Sequence, residues 1–184
     1  GTCLVGSEMC IRDRRDIESA LELSNESLDL RDRVDSAALS TAVRHQMMQL
    51  IPNGRPVEAG YLSSHYGRRV HPVTKMKAMH HGIDYAVNAG TPIYAPADGI
   101  IEVARKSNKG SGNFLKLAHS FGFTSSYSHL SAFKVKRGDY VKKGDLIGLS
   151  GNSGLSTGYH LHYEVRLVGR SLDPLPFTLS LIHI

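Results

Sequence analysis

The stretch His160-Leu-His-Tyr-Glu-Val-Arg-Leu167 alternates residue by residue between polar and apolar side chains. In an extended strand the side chains at i and i+2 share a face. His160, His162, Glu164 and Arg166 therefore stand on one side, and Leu161, Tyr163, Val165 and Leu167 on the other. Such a strand buries its apolar face in a core and turns its polar face to a cleft, and a one-residue slip would exchange the two. The reading predicts a mainly β fold in which two imidazoles line one wall. Toward the N-terminus, short strands between glycine turns are expected at Ile93 to Ala95, Ile100 to Ala104, Phe114 to Ala118, Thr124 to His129 and Leu146 to Leu149.

A second cluster, His80-x-Gly82-x-Asp84, lies well upstream. Gly82 lets the backbone turn between His80 and Asp84. The two then offer one nitrogen and one oxygen to a metal that takes histidine and carboxylate ligands tetrahedrally. Any three protein ligands leave a position for water, and zinc held in this way lowers the pKa of that water to roughly 7. Hydrolysis by such a water also needs groups that take a proton, stabilise developing negative charge and protonate the leaving group. Histidine suits each task near neutral pH.

From about Tyr61 to Pro174 the chain resembles the lysostaphin-type (LytM-like) zinc endopeptidases that act on peptidoglycan. The resemblance is carried by YLSSHYGRRVHP, AMHHGIDYA, TPIYAPADGII, YSHL, VKRGDYVKKGDLIGLSGNSGLSTG and HLHYEVR, in that order. It implies zinc as cofactor with His80, Asp84 and His162 as metal ligands, and His129 and His160 as unligated catalytic histidines whose roles stay undivided. It also implies an antiparallel, barrel-sandwich-like sheet with a concave substrate groove, and hydrolysis of amide bonds in stem peptides or cross-links; D,D-endopeptidase is the leading expectation, and D,D-carboxypeptidase and glycyl-glycine cleavage need the same metal chemistry. The family usually has proline directly before the H-x-H pair. Here Tyr159 stands there, which bears on substrate fit or loop stiffness and removes no ligand.

A lone H-x-H is more often structural than metal-binding; the second cluster and the flanking blocks reverse that weighting. His81 competes with His80, but only His80 stands two before Gly82 and four before Asp84. His45, His65, His71 and His119 carry no motif. Glu164 is either a support for a ligand histidine or a plain surface carboxylate. The phrases APADGII and VKRGDYVKKGDLIG also resemble biotin and lipoyl carrier domains, with Met76-Lys77-Ala78-Met79 in place of their modified lysine. In those carriers the lysine lies between the two halves, whereas Lys77 precedes both, so the similarity is one of sheet architecture. The remaining rival is a non-hydrolytic wall-binding or amidase-activating module of the same fold, which would be expected to have lost ligands.

The chain has 184 residues, a formal charge of +5 and a pI near 9.3, which favours anionic polymers. Its basic clusters lack the interleaved aromatics of a nucleic-acid groove, so nucleic acid is not expected as a partner and peptidoglycan is. The opening GTCLVGSEMCIRDR and closing LSLIHI resemble translated adapter sequence, so residues 1–14 and 179–184 read as non-native tails. Cys3 and Cys10 both fall in the first of these, which leaves no thiolate ligands and no disulfide framework.

Residues 15–50 contain neither glycine nor proline, whereas 15 of the 18 glycines fall between Gly60 and Gly169. That contrast separates an N-terminal helical segment (15–50) from a linker (51–56) and a zinc peptidase domain (57–178). Leu39, Val43, Met47 and Leu50 form a helical apolar stripe, either packed on the domain or belonging to a coiled-coil arm with a helical partner. No apolar run reaches the roughly 20 residues of a membrane helix, and no export signal opens the chain. A periplasmic or envelope location is expected, with any signal or anchor upstream.

Overall fold

The computed structural model describes residues 41–70 and 76–178, with side chains from His45 onward. The two tails, most of the helical segment and His71 lie outside the described residues. The chain divides at Arg44, within the first helix, into two units, and the description below concerns the second together with the whole of that helix. Its elements run α1 (Thr41–Leu50), β1 (Tyr61–Ser64), β2 (Gly67–Val70), β3 (Lys77–His80), β4 (Ile83–Ala86), β5 (Pro92–Tyr94), β6 (Gly99–Arg105) and β7 (Phe114–Ala118). Then follow β8 (Phe123–Ser128), β9 (Leu130–Phe133), β10 (Tyr140–Val141), β11 (Leu146–Ser150), β12 (His160–Leu167), β13 (Arg170–Leu172) and α2 (Leu175–Thr178).

The fold is mainly β, as expected, and every strand pairing among the described residues is antiparallel. The large sheet has the order β1-β4-β12-β8-β7-β6-β10, with β13 also on β12; β5-β11-β9 form a second sheet and β2-β3 a separate hairpin. The expected strand β12 is present residue for residue, and its burial alternates as its sequence does. Leu161, Tyr163 and Val165 are fully buried and join Ile83, Tyr85, Leu115, Leu117 and Tyr127 from the same sheet and Ile93, Leu130 and Ile147 from the second in one core. Burial of each such aliphatic side chain contributes about 1.5–3 kcal/mol. A slipped register would forfeit several of these at once and bury four polar groups, so the core fixes which face of β12 carries the histidines.

The expected strand Thr124 to His129 stops one residue early, at Ser128. His129 has φ of 63°, a left-handed conformation that breaks the ladder and is rare for a residue with a side chain. On α1, Met47 and Leu50 are half-buried while His45 and Gln46 are exposed. The last carbonyls of α1, which have no partner within the helix, accept from the β body: Asp98 N–H donates to Gln49 O at 2.7 Å and Lys143 Nζ to Met48 O at 3.2 Å.

Candidate metal centre and cleft

The centre of the large sheet brings the two histidine clusters together. In the β4–β12 ladder His162 lies directly opposite Asp84, and His160 opposite Ala86. His80 arrives from the end of β3. Gly82 lies at the bend between β3 and β4, as expected, and a second constraint also acts on it. It has no left-handed φ, but a Cβ there would stand 2.3 Å from the Tyr163 carbonyl oxygen and 3.0 Å from Cε1 of His162. Close approach of β12 demands the glycine.

Three electron-pair donors converge as a result. His80 Nε2 lies 3.1 Å from Asp84 Oδ1 and 3.1 Å from His162 Nδ1, and His162 Nδ1 lies 2.8 Å from Asp84 Oδ1. The opposite nitrogen of each ring is already committed. His80 Nδ1–H donates to the His65 carbonyl at 2.7 Å, and His162 Nε2–H to Glu164 Oε1 at 3.1 Å. Two ring nitrogens and a carboxylate oxygen thus face one another, an arrangement that either a shared proton or a metal ion between them satisfies. Tetrahedral ligands about 2.0 Å from a zinc stand roughly 3.3 Å apart, so the donor set fits such an ion with only a small opening of the triangle.

The electrostatics tell the same story. Burial alone would lower the pKa of His162, but its bonds to Asp84 and Glu164 outweigh burial and raise it to about 9. Burial would raise Asp84; the hydrogen bonds and charges of His162 and His80 hold it far below the usual carboxylate range. Without a metal, the cluster therefore retains a proton. Glu164, against its burial, is kept ionised by His162 and by Arg166, whose Nε donates to its Oε2 at 2.9 Å and whose Nη2 forms an ion pair with the same oxygen at 2.9 Å. Of the two sequence readings of Glu164, contact with His162 is the one realised.

His129 and His160 lie in the same cleft, with ring centroids 4.6 Å apart, and His129 is 6.4 Å from the His162 ring. His129 Nδ1–H donates to the Ser153 carbonyl at 2.8 Å, and His160 Nδ1–H to the Gly158 carbonyl at 2.9 Å. Among the described residues neither Nε2 has a hydrogen-bond partner. Burial keeps the pKa of His129 below the ordinary value, against the pull of the Ser153 carbonyl. The loops that hold it are laced together: His129 N–H donates to Ser111 O at 2.9 Å, Leu155 N–H to Gly110 O at 2.7 Å, and Asn113 N–H to Ser153 Oγ at 2.9 Å. Backbone strain over-determined in this way is common at working sites.

The cleft is open and holds about 600 Å³; Arg69, Met79, Leu155 and Tyr159 join the five named groups in lining it. His81 is exposed at its edge, with Nδ1 3.0 Å from Ser171 Oγ, and does not join the three converging donors. The sequence reading missed Arg69 as a site residue. Its Nη2 donates to Asp84 Oδ2 at 3.1 Å and its Nη1 to Ser64 Oγ at 2.7 Å.

The family model of Peptidase family M23 matches residues 78–174, just over half of the chain. The chain belongs to peptidase family M23. Among M23 relatives, the peptidoglycan DD-endopeptidase ShyA of Vibrio cholerae is 42% identical over 122 residues, 65% of this chain and 28% of that protein. The catalytic domain of lysostaphin from Staphylococcus simulans superposes with a TM-score of 0.59 at 38% identity, covering 66% of this chain and 93% of that domain. A zinc-containing peptidase from Vibrio cholerae gives 0.61 at 36% identity, covering 68% and 39%. The chain spans between 22% and 29% of the length of the first curated relatives it matches. The resemblance read from the six sequence blocks and the mainly β, antiparallel fold are thus both established.

Proposed function

We propose that this M23 chain is a zinc-dependent peptidoglycan peptidase that hydrolyses amide bonds in stem peptides or cross-links, as a D,D-endopeptidase of the bacterial periplasm or envelope. The observation that carries the reading is the convergence of His80 Nε2, Asp84 Oδ1 and His162 Nδ1 within 3.1 Å, each ring turned by an acceptor on its far nitrogen. The name of the relative ShyA supports the substrate class, and that of the zinc-containing peptidase supports the metal. A zinc held by these three residues supplies Lewis acidity and a water whose pKa falls to about 7.

The chain's own groups do the rest. His129 and His160 present free Nε2 atoms to the cleft, so either can take a proton from the attacking water and return one to the departing amine nitrogen. Their Nδ1 carbonyl partners hold the tautomer that this exchange needs. The apolar lip of Met79, Leu155 and Tyr159 excludes water beside a bound peptide. Tyr159, 60% exposed where the family usually has proline, offers an aromatic face to that peptide.

The test is mass spectrometry of muropeptides released from purified sacculi, with and without chelator. Metal-dependent cleavage of cross-linked dimers supports the reading. Sacculi that are bound but never cleaved by zinc-loaded protein would replace it with the non-hydrolytic wall-binding or amidase-activating module.

A further inference from the structure

We infer that Arg69 holds Asp84 to a single coordinating oxygen and thereby keeps one position of the metal centre open; the inference rests on the peptidase reading above. The two carboxylate oxygens of Asp84 have different surroundings. Oδ1 faces His80 Nε2 and His162 Nδ1 at 3.1 and 2.8 Å, while Oδ2 accepts from Arg69 Nη2 at 3.1 Å. Among the described residues no other side chain donates to Oδ2. A carboxylate can bind a metal through one oxygen or two. With two, the three protein residues would fill four positions and leave a tetrahedral ion no place for water.

The guanidinium resists that rotation because it is held at a second point. Arg69 Nη1 donates to Ser64 Oγ at 2.7 Å, and Ser64 is the partner of Asp84 across the β1–β4 ladder. Turning the carboxylate so that Oδ2 swung toward the metal would break a charge-assisted bond, about twice as strong as a neutral one. The guanidinium could not follow without also leaving Ser64. Arg69 reaches this place from β2, paired to β3, the strand that delivers His80. One hairpin thus carries both a ligand and the group that limits its neighbour. Lysine, a point charge without a fork, cannot span Asp84 and Ser64 together.

Cobalt substitution tests this without relying on turnover, because four-coordinate cobalt(II) absorbs visible light much more strongly than five- or six-coordinate cobalt. The wild-type protein, Arg69→Gln, Arg69→Lys and Ser64→Ala would be loaded with cobalt, and metal content, spectrum and kinetics measured. The expected result is intense absorption in the wild type, a severalfold loss in Arg69→Gln at full metal content, and intermediate spectra for the other two. With zinc, kcat of Arg69→Gln should fall about 10- to 100-fold, the usual range for a partner of a metal ligand, with little change in KM. If Arg69→Gln does not fold, Arg69→Lys decides the matter by the same spectrum. An unchanged spectrum, or a raised KM with unchanged kcat, would overturn the inference and make Arg69 a substrate-gripping residue. Wild-type protein that takes up no cobalt, or takes it up undiminished in His80→Ala, would instead overturn the metal reading beneath it.

Discussion

Asp84 and His162 are direct partners across the β4–β12 ladder, with His162 Nδ1 2.8 Å from Asp84 Oδ1. Two of the three converging donors are thus positioned by main-chain hydrogen bonds inside a sheet and not by loops. The far nitrogen of His162 is pinned by Glu164, itself two residues along the same strand and held by Arg166. One alternating strand therefore supplies a candidate ligand, its orienting carboxylate and the cation that keeps the carboxylate ionised.

One zinc per chain is expected in protein purified without chelator. His80→Ala, Asp84→Ala and His162→Ala should each lose most of it by elemental analysis. His81→Ala should keep it, because His81 faces Ser171. A full metal load in His80→Ala together with loss in His81→Ala would move the ligand assignment by one residue.

His129→Ala and His160→Ala are expected to keep their zinc and to lose about 10²- to 10⁴-fold in turnover, the scale of a missing general acid or base. The readouts are elemental analysis and the rate of muropeptide release. A variant that lost metal as fully as His162→Ala would be a ligand and not a proton carrier.

The sheet core and β12 were legible in the sequence because period-two alternation is a local signal. The hairpin β2–β3 was not. Its residues, Gly67–Val70 and Lys77–His80, are largely exposed on one face and carry no apolar alternation; their pairing depends on contacts beyond any window. Arg69 went unnoticed for the same reason, since its partner Asp84 lies two strands away in sequence. At Gly82 the bend is legible in the sequence and the close approach of β12 is not. A turn can be guessed from its own residues, whereas a clash with the Tyr163 carbonyl exists only once β4 and β12 are paired. The left-handed φ of His129 has no signature in YSHL, whose residues suit a strand throughout.

Gly82→Ala should cost about 1–3 kcal/mol, the usual range for overpacking, and should weaken metal binding as well. Its methyl would stand 2.3 Å from backbone oxygen in the neighbouring strand and 3.0 Å from the His162 ring, so β4 and β12 must part where the site lies. Gly158→Ala serves as a control, since a Cβ there meets nothing within 4 Å. Denaturant midpoints and competitive zinc titrations of both variants check this. If Gly82→Ala matched the wild type in both measurements, the close approach would not be what requires glycine.

A histidine outside the cleft should give the protein part of its acid sensitivity. His119 Nδ1–H donates to the Asp98 carbonyl at 2.8 Å, its Nε2 accepts from Ser125 Oγ at 2.7 Å, and Ser125 Oγ in turn accepts from Tyr127 OH at 2.9 Å. Gly99 makes room for the ring, as a Cβ there would stand 2.8 Å from its Nδ1. A protonated ring would carry a hydrogen on both nitrogens, and Ser125 and Tyr127 would have to reverse their donors in a buried place. Burial lowers the folded pKa of His119, with the Asp98 carbonyl opposing it. The unfolded chain, at about 6.5, then takes up the proton first. The stability this group confers is complete above pH 6.5 and is lost as pH falls through the folded pKa. In zinc-saturated buffer, His119→Gln should be less stable than the wild type at pH 7.5, and the gap should narrow by pH 5. Thermal melts across that range provide the check, and a gap that stays constant or widens on acidification would show that His119 is not held neutral by the fold.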